Sequence, residues 1–565
     1  MPFKHFLLAL IFTLVLVPVS CDIASSNALT IPEEPAQSAP AAQEEAPKTI
    51  TWTRQPKILC LLQGEPIGLS CKAECAQQTV CYRWFETDAD GQTKTPLGDG
   101  WSDSSDLQLD GFAEKGIRYF VCAATLSHPN GQDADKIPDD AVYSDLTAAA
   151  YTGLPIICID TDEVETWAIT RDVYVPSKFK MIMPNGTERS INLTKKGIKG
   201  RGASSWEFPK KSYNLNFDEK ESFFELANSK KWCLISNYAD KSLLRNKFAS
   251  LLGNEIFNAG WNPSFYHVEF FLNKEFLGNY ILCEKNTIGT GRIDIQDISD
   301  YTQKKILSEK YSDQDGDGDV DLYDGGFVLE LDTAHDATFW FDTERGIPVT
   351  LKDPDEVTDE VWEHIKGLIQ NAENVLYGDD FADYENGWRK FFDEDSLLDW
   401  YIVNELGKSV DASNLFVRSE YLYFNPITQK LNFGPNWDYD HCFGNADFSR
   451  DANTVSCSEP KDFYVKDLTW ISRFFEDSLF VENLKSRWNS KKIRVENAIN
   501  SIPTVSNEIL VSAKMNFMIW KILGIHIHCE PEGFEERPTY QSNVDWLTNW
   551  LNVRCSWFDS AINGL

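Results

Sequence analysis

One segment, Lys430-Leu-Asn-Phe-Gly-Pro-Asn-Trp-Asp-Tyr-Asp-His-Cys-Phe-Gly-Asn445, constrains this chain more than any other. An apolar strand runs into Gly434-Pro435, and two carboxylates, Asp438 and Asp440, follow on alternate residues before the turn at Gly444. Hard oxygen donors at the end of a buried strand suit Mg²⁺ or Mn²⁺, whose other ligands are mostly waters and phosphates. The competing reading is a pair of solvated turn aspartates, since Asp is common in turns.

Upstream, the stretch Tyr401 to Asn414 ends a helical pattern and delivers Asp411 and Asn414 just before a strand at Tyr421 to Phe424. A phosphotransferase needs such parts: a carboxylate to accept the proton of the attacking hydroxyl, an amide oxygen on a metal, and a later carboxylate on the metal bridging the phosphates. A third piece, Ile198 to Phe217, combines Gly200, Arg201, Gly202, Ser204 and Ser205 in a glycine-hydroxyl loop with Lys210 and Lys211 at the head of an alternating strand. Backbone amides freed by the glycines can approach phosphate, and a lysine from the next strand can neutralise it. The loop is neither a Walker loop nor Gly-x-Gly-x-x-Gly, because Ser205 stands where the third glycine belongs.

Arg201 to Trp206 with Pro209 to Tyr213, then Tyr238 to Asn246, Gly278 to Glu284, and Gly434 to Asp440 with Phe443 to Asn445, resemble the spore-coat protein H (CotH) kinase-like family in content and order. The resemblance covers roughly residues 155 to 565. It implies an α+β atypical protein-kinase-like two-lobed domain. Some members of that family transfer phosphate from ATP to protein side chains, and others serve as surface proteins. By position, the resemblance implies Asp411 as catalytic base, Asn414 and Asp438 as metal ligands, and Lys210 or Lys211 on the nucleotide phosphates. Asn414 follows Asp411 by three residues, where ordinary protein kinases space this pair by five.

Strand alternation groups Lys211 with Tyr213, Leu215 and Phe217, and Lys210 with Ser212, Asn214 and Asn216; if the apolar face packs inward, Lys210 faces the cleft. Glu284 ends the second strand of a hairpin turning at Asn273-Lys274-Glu275, where it either binds adenine or ribose or pairs with Lys285. A helical pattern runs from Asp240, a plausible N-cap, to Phe257, with Glu255 assigned to its surface. Further helices are expected from Asp353-Pro-Asp-Glu356, burying Val361, Ile365, Leu368, Ala372 and Leu376, and over Val544 to Ile562.

A length of 565 residues, 42% of them hydrophobic, supports several packed cores. A formal net charge of −34 argues against nucleic acid or anionic membrane surfaces as partners and favours basic protein substrates. Residues 1–21 read as a secretory signal: Lys4 and His5 precede the apolar run Phe6 to Val17. Its end, Pro-Val-Ser-Cys21, resembles a lipoprotein signal with Cys21 lipidated, which makes a lipid the expected membrane anchor and the cell envelope or surface the expected location. Residues 22–48, rich in Ala, Pro, Ser, Glu and Gln, read as a flexible linker.

In residues 49–152, Cys71, Trp84 and Cys122 fall in the order of an all-β immunoglobulin-like sandwich, with Cys71 and Cys122 as the expected disulfide. Phe120 stands where a corner tyrosine is usual. Thirteen cysteines without a Cys-x-x-Cys pattern fit an oxidising compartment, and Cys75 with Cys81 is a second candidate pair. His526, His528 and Cys529 read as strand residues before they read as a zinc cluster. Asp313, Asp315, Asp317, Asp319, Asp321 and Asp324 lie in a calcium-loop-like insertion, 313–324, with Gly318 at the turn position and Asp in place of Glu at the twelfth.

These observations converge on a multidomain, exported, surface-anchored atypical protein kinase. It would use ATP with Mg²⁺ or Mn²⁺, with Ca²⁺ as a further candidate ion, to phosphorylate protein hydroxyls. The alternatives are a non-catalytic adhesin or scaffold with a vestigial cleft, and a nucleotidyl transferase.

Overall fold

The computed structural model describes residues 49–565 apart from 77, 130–134, 299–311, 319, 414–417 and 450–454. The signal with Cys21, the linker 22–48, Asp319 and Asn414 thus lie outside the described residues.

The described part of residues 51–151 contains strands and no α-helix. One sheet runs Leu59–Cys60, Thr147–Tyr151, Gly116–Thr125, Cys81–Thr87, Lys94–Pro96, and Val142–Tyr143 also pairs with Gly116–Thr125. Two small sheets pair Thr51–Arg54 with Lys72–Glu74 and Ile67–Leu69 with Leu107–Leu109. Ile67 and Leu69 are buried while Gly68 is exposed, the period of two that a one-sided strand requires. They share a core with Cys71, Trp84, Phe120 and Cys122. Trp84 lies opposite Cys122 in register, and Cys71 and Cys122 sit in this core as free thiols beside each other, without the expected disulfide bond between them. Phe120 is fully buried, and a hydroxyl-to-backbone link comes from Tyr82, which donates to the Ala73 carbonyl at 2.8 Å.

Next comes a closed seven-stranded barrel, a closure that strand patterning in the sequence does not reveal. Around the ring the order is Ile156–Asp160, Val175–Ile182, Glu188–Arg201, Ser212–Glu221, Ser229–Ile235, Glu275–Glu284, Phe265–Leu272. Closure depends on the parallel pairing of Ile156–Asp160 with Phe265–Leu272, segments far apart in sequence. Tyr213, Leu215 and Phe217 point into the barrel core beside Phe179, Trp232 and Phe270. The expected hairpin is present, and Asn273 and Lys274 both adopt positive φ, 51° and 67°, as a two-residue primed turn requires.

The helix expected from Asp240 begins instead at Arg245 and continues from Leu252 to Phe257 with wider π-type turns. Asp240 accepts the Ser242 and Arg245 backbone N–H groups, which folds residues 240–244 into a turn before the helix. Beyond it lies a five-stranded antiparallel sheet ordered Trp340–Asp342, Pro348–Asp353, Phe327–Leu331, Glu420–Asn425, Lys430–Phe433. Asp353 ends a strand rather than starting a helix, because its backbone is in register with Val328 and its carboxylate accepts Ile288 N–H at 2.7 Å. The helix starts at Asp359, capped by Thr358, and buries Val361, Ile365, Ala372 and Leu376 as expected, with Leu368 half-buried.

Helices Glu394–Gly407, Ser478–Glu508, Leu510–Ile519 and Tyr540–Asn563 complete the largest apolar core. Ala148 and Ala150 pack with Phe276 and Met515, so an apolar contact joins the N-terminal strands to the barrel and the helices. Among the described residues, no helix is long and apolar enough to cross a membrane.

Candidate active site

A cavity of about 390 Å³ lies between the barrel and the five-stranded sheet. Its barrel side is the loop from Gly200 to Ser205 with Ser212 and Asn214 from the next strand. Glycine is required at two places in this loop. A Cβ at Gly200 would lie 2.2 Å from the Trp206 ring, and Gly202 has φ +101° with Ser205 Oγ 2.2 Å from where its Cβ would be. Arg171 Nη1 donates to the Gly202 carbonyl at 2.7 Å and ties the loop down.

Asp411, Asp438, Asp440 and His441 line the opposite side. Asp411 comes from the short helix Val410–Ser413, and the other three follow the strand Lys430–Phe433. All four are half-buried. Asp438 adopts a left-handed backbone, φ 68°, and its carboxylate accepts from Ser419 Oγ at 3.3 Å. Burial, and then the charge of Asp438, push Asp411 well above the usual carboxylate range. Burial raises Asp440 to about 6, opposed by His441 and assisted by Asp438. Burial opposes the His441 charge, but Asp440 and Cys529 outweigh it and hold the imidazole up at about 10. Asp411 and Asp440, held up first by burial and then by neighbouring charge, form with Asp438 a donor set that a divalent cation fits, because the ion offsets both the burial of the charge and the mutual repulsion.

The side chains of Asn246 and Arg245, which hold this acidic loop, lie far from it in the chain. Asn246 Oδ1 accepts the Tyr439 backbone N–H at 2.8 Å. Arg245 donates through Nε to the Cys442 carbonyl at 3.0 Å and through Nη1 to Asp240 at 2.6 Å. Tyr439 donates its hydroxyl proton to one of Asn404 Oδ1 and Asn436 Oδ1, both at 3.0 Å. The signal was present in the motif from Tyr238 to Asn246, but its target lies about two hundred residues downstream.

Gly200, Arg201, Gly202, Ser204 and Ser205 all line the cavity together with Asp411, Asp438 and Asp440. Lys210, Lys211 and Glu284 do not. Lys210 is buried and donates to the carbonyls of Ser236 and Asn279 and to Asn516 Oδ1. It precedes the strand that begins at Ser212, so strand alternation does not apply to it. Lys211 donates to the Trp206 carbonyl and lies over the Trp206 ring. Glu284 accepts from Ser264 N–H at 3.1 Å and sits 3.6 Å from Arg292.

The cations that do face the cavity are Arg171, Lys199, Arg201, Lys285, Lys352 and Arg418. Arg201 lies over the Trp437 ring at 5.1 Å; burial opposes its charge, and Cys233 and Asp438 more than restore it. Lys352 pairs with Glu330 at 2.6 Å, and Arg418 approaches Asp332 at 3.6 Å. Lys285 keeps no such close carboxylate among the described salt bridges, and burial lowers its pKa.

In the acidic insertion the carboxylates of Asp313, Asp315 and Asp317 gather together. Asp321 and Asp324 are turned to backbone N–H groups, those of Tyr323 and Asp321 at 2.7 and 2.8 Å. His526, His528 and Cys529 line a separate hollow with Asp447 and Glu530, and Cys529 Sγ reaches to 3.8 Å from His441 Nδ1.

A family model described as CotH kinase protein matches residues 198–558, which include every cavity-lining residue except Arg171. No curated protein matches the chain.

Proposed function

Because the chain belongs to the CotH kinase protein family, we propose that it is an atypical kinase that transfers the γ-phosphoryl group of ATP to protein hydroxyls. The observation that supports this reading best is the facing of Asp411, Asp438 and Asp440 against a glycine loop and a set of cations across one cavity. Kinase catalysis is mostly positioning and charge stabilisation, and these are the groups it needs.

Asp438 and Asp440 would hold Mg²⁺ or Mn²⁺, which supplies charge neutralisation at the phosphates when bound. Arg201 and Lys285 bind phosphate oxygens from the barrel side, in place of Lys210 or Lys211. The Gly202 to Ser205 part of the loop covers the phosphates with backbone N–H groups, the Gly200 N–H being already given to the Thr170 carbonyl at 2.8 Å. Asp411 orients the acceptor hydroxyl and takes its proton. The barrel and the sheet-and-helix region then act as the two lobes of a kinase-like fold.

The contact of Cys71 with Cys122 across from Trp84 supports an immunoglobulin-like sandwich over 49–152 that recognises a partner or spaces the kinase domain. Residues 1–21 direct export and lipidation at Cys21, placing the enzyme at the cell envelope, where its net charge of −34 favours basic protein substrates. The insertion 313–324 binds Ca²⁺ as a structural ion.

The test is incubation of the purified protein with ATP labelled at the γ- or the α-phosphate, Mg²⁺ or Mn²⁺, and a basic acceptor protein, beside Asp438→Asn. Acceptor labelling from the γ position that disappears in the variant supports the kinase. Label arriving from the α position shows nucleotidyl transfer, and full labelling by Asp438→Asn removes the metal assignment.

A further inference from the structure

Far along the chain from the acidic cavity residues, three donors that the kinase reading leaves unused converge at one end of the N-terminal sheet. Cys81 begins the strand Cys81–Thr87 and is buried. Asp103 lies in the segment that bridges back to Tyr82 through Ser102. His128 follows the strand Gly116–Thr125 with a left-handed backbone, φ 45°. Cys81 Sγ is 2.8 Å from His128 Nδ1 and 3.1 Å from Asp103 Oδ1, and the same two Nδ1 and Oδ1 atoms are 3.6 Å apart.

The other imidazole nitrogen fixes the chemistry. His128 Nε2 lies 3.1 Å from the Thr79 carbonyl, which can only accept, so the ring proton resides on Nε2. The Nδ1 lone pair then faces the thiol and the carboxylate. Without a cation, one thiol proton serves two acceptors; with one, all three groups become donors to a single centre. An imidazole that ligates through one nitrogen and donates from the other to a carbonyl is the usual arrangement of metal-bound histidine. A thiolate, an imidazole and a carboxylate together select zinc-like ions over Mg²⁺ or Ca²⁺, which prefer oxygen alone. The Asp103 and His128 side chains are 72% and 46% exposed, so water has access to a fourth position.

We propose that Cys81, Asp103 and His128 form a binding site for a zinc-class divalent metal that clamps the segment after the Gly116–Thr125 strand to the start of Cys81–Thr87. This site excludes the Cys75–Cys81 disulfide, since Cys81 cannot serve both.

The test uses the purified full chain without a histidine tag, stripped by chelator and titrated with Zn²⁺ by calorimetry and with Co²⁺ by absorption. Expected are a thiolate-to-cobalt charge-transfer band and an equivalent of Zn²⁺ that His128→Gln abolishes. The loss of affinity should exceed the about 10–100-fold produced by removing an outer-shell partner. His128 is exposed, so this variant keeps the fold even if Cys81→Ser does not. Absence of zinc binding, a cobalt band unchanged by His128→Gln, or a Cys75–Cys81 disulfide found by mass spectrometry overturns the site.

Discussion

Asn246 and Tyr439 couple the first helix after the barrel strand Ser229–Ile235 to the acidic loop: the Asn246 side-chain oxygen accepts the Tyr439 backbone N–H at 2.8 Å between buried residues. Tyr439 lies between Asp438 and Asp440, so this bond sets where both carboxylates point. Asn246→Ala is expected to lower stability by about 1–2 kcal/mol, since a buried donor is left unmet. It should also lower phosphoryl transfer by about tenfold or more, since misplacement of catalytic groups is costly. Urea unfolding and kcat measured on one preparation check this, and full activity in a destabilised variant would show that the loop holds its own geometry.

The two lysines give opposite expectations. Lys210→Met removes the donor to two carbonyls and Asn516, so it should destabilise the fold by about 1–3 kcal/mol or more. It should leave the ATP affinity of the remaining folded protein near wild type. Lys285→Met should do the reverse, weakening ATP binding with little effect on unfolding, because Lys285 lines the cavity. Equal effects of both on nucleotide binding would return Lys210 to the phosphate site.

Much of this division could not be read from the chain alone. The alternation of Tyr213, Leu215 and Phe217 gave their burial correctly, because period-two patterning reports directly on a strand face. Extending the pattern back to Lys210 did not work, since the strand starts later and a local pattern carries no information on where pairing begins. The acidic loop was legible because its donors are close together in sequence. Barrel closure, Arg245 and Asn246 were not, as their partners are brought together only by tertiary structure. The helix start displaced from Asp353 to Asp359 shows sheet pairing overriding a good capping sequence.

Gly200→Ala tests the phosphate loop. The added Cβ would meet the Trp206 ring, so the ring must move and the loop with it. Nucleotide affinity is expected to fall by about tenfold, equivalent to about 1.4 kcal/mol, while the global unfolding midpoint changes little. Fluorescence titration with a nucleotide analogue reads the first quantity. Unchanged affinity would mean that the loop does not contact the nucleotide.

Asp399 supplies a pH signature away from the cavity. Burial raises it to about 7, although Arg487 Nη1 lies 3.3 Å away and Ala259 N–H donates to it at 2.9 Å. Between its ordinary pKa of about 4 and this value, the folded protein keeps a proton that the unfolded chain releases. The group therefore favours the fold at low pH, and that contribution is lost as pH rises from about 4 to about 7. Asp399→Asn should flatten the stability profile in this interval, read by urea unfolding at about pH 5 and about pH 8. An unaltered slope would mean that the carboxyl ionises normally.

The seven-stranded ring separates heredity from mechanics. The stretch that similarity marks as the family begins at residue 198, within the strand Glu188–Arg201, yet Ile156–Asp160 and Val175–Ile182 complete the circle. Excised at that boundary, the hoop would spring open into a curved ribbon with Phe265–Leu272 as a bare edge, a template for sticking to other chains. The portion that ancestry makes recognisable is thus smaller than the closed ring, and any fusion or transplantation of this CotH-family domain has to carry the less recognisable strands along to keep the ring closed.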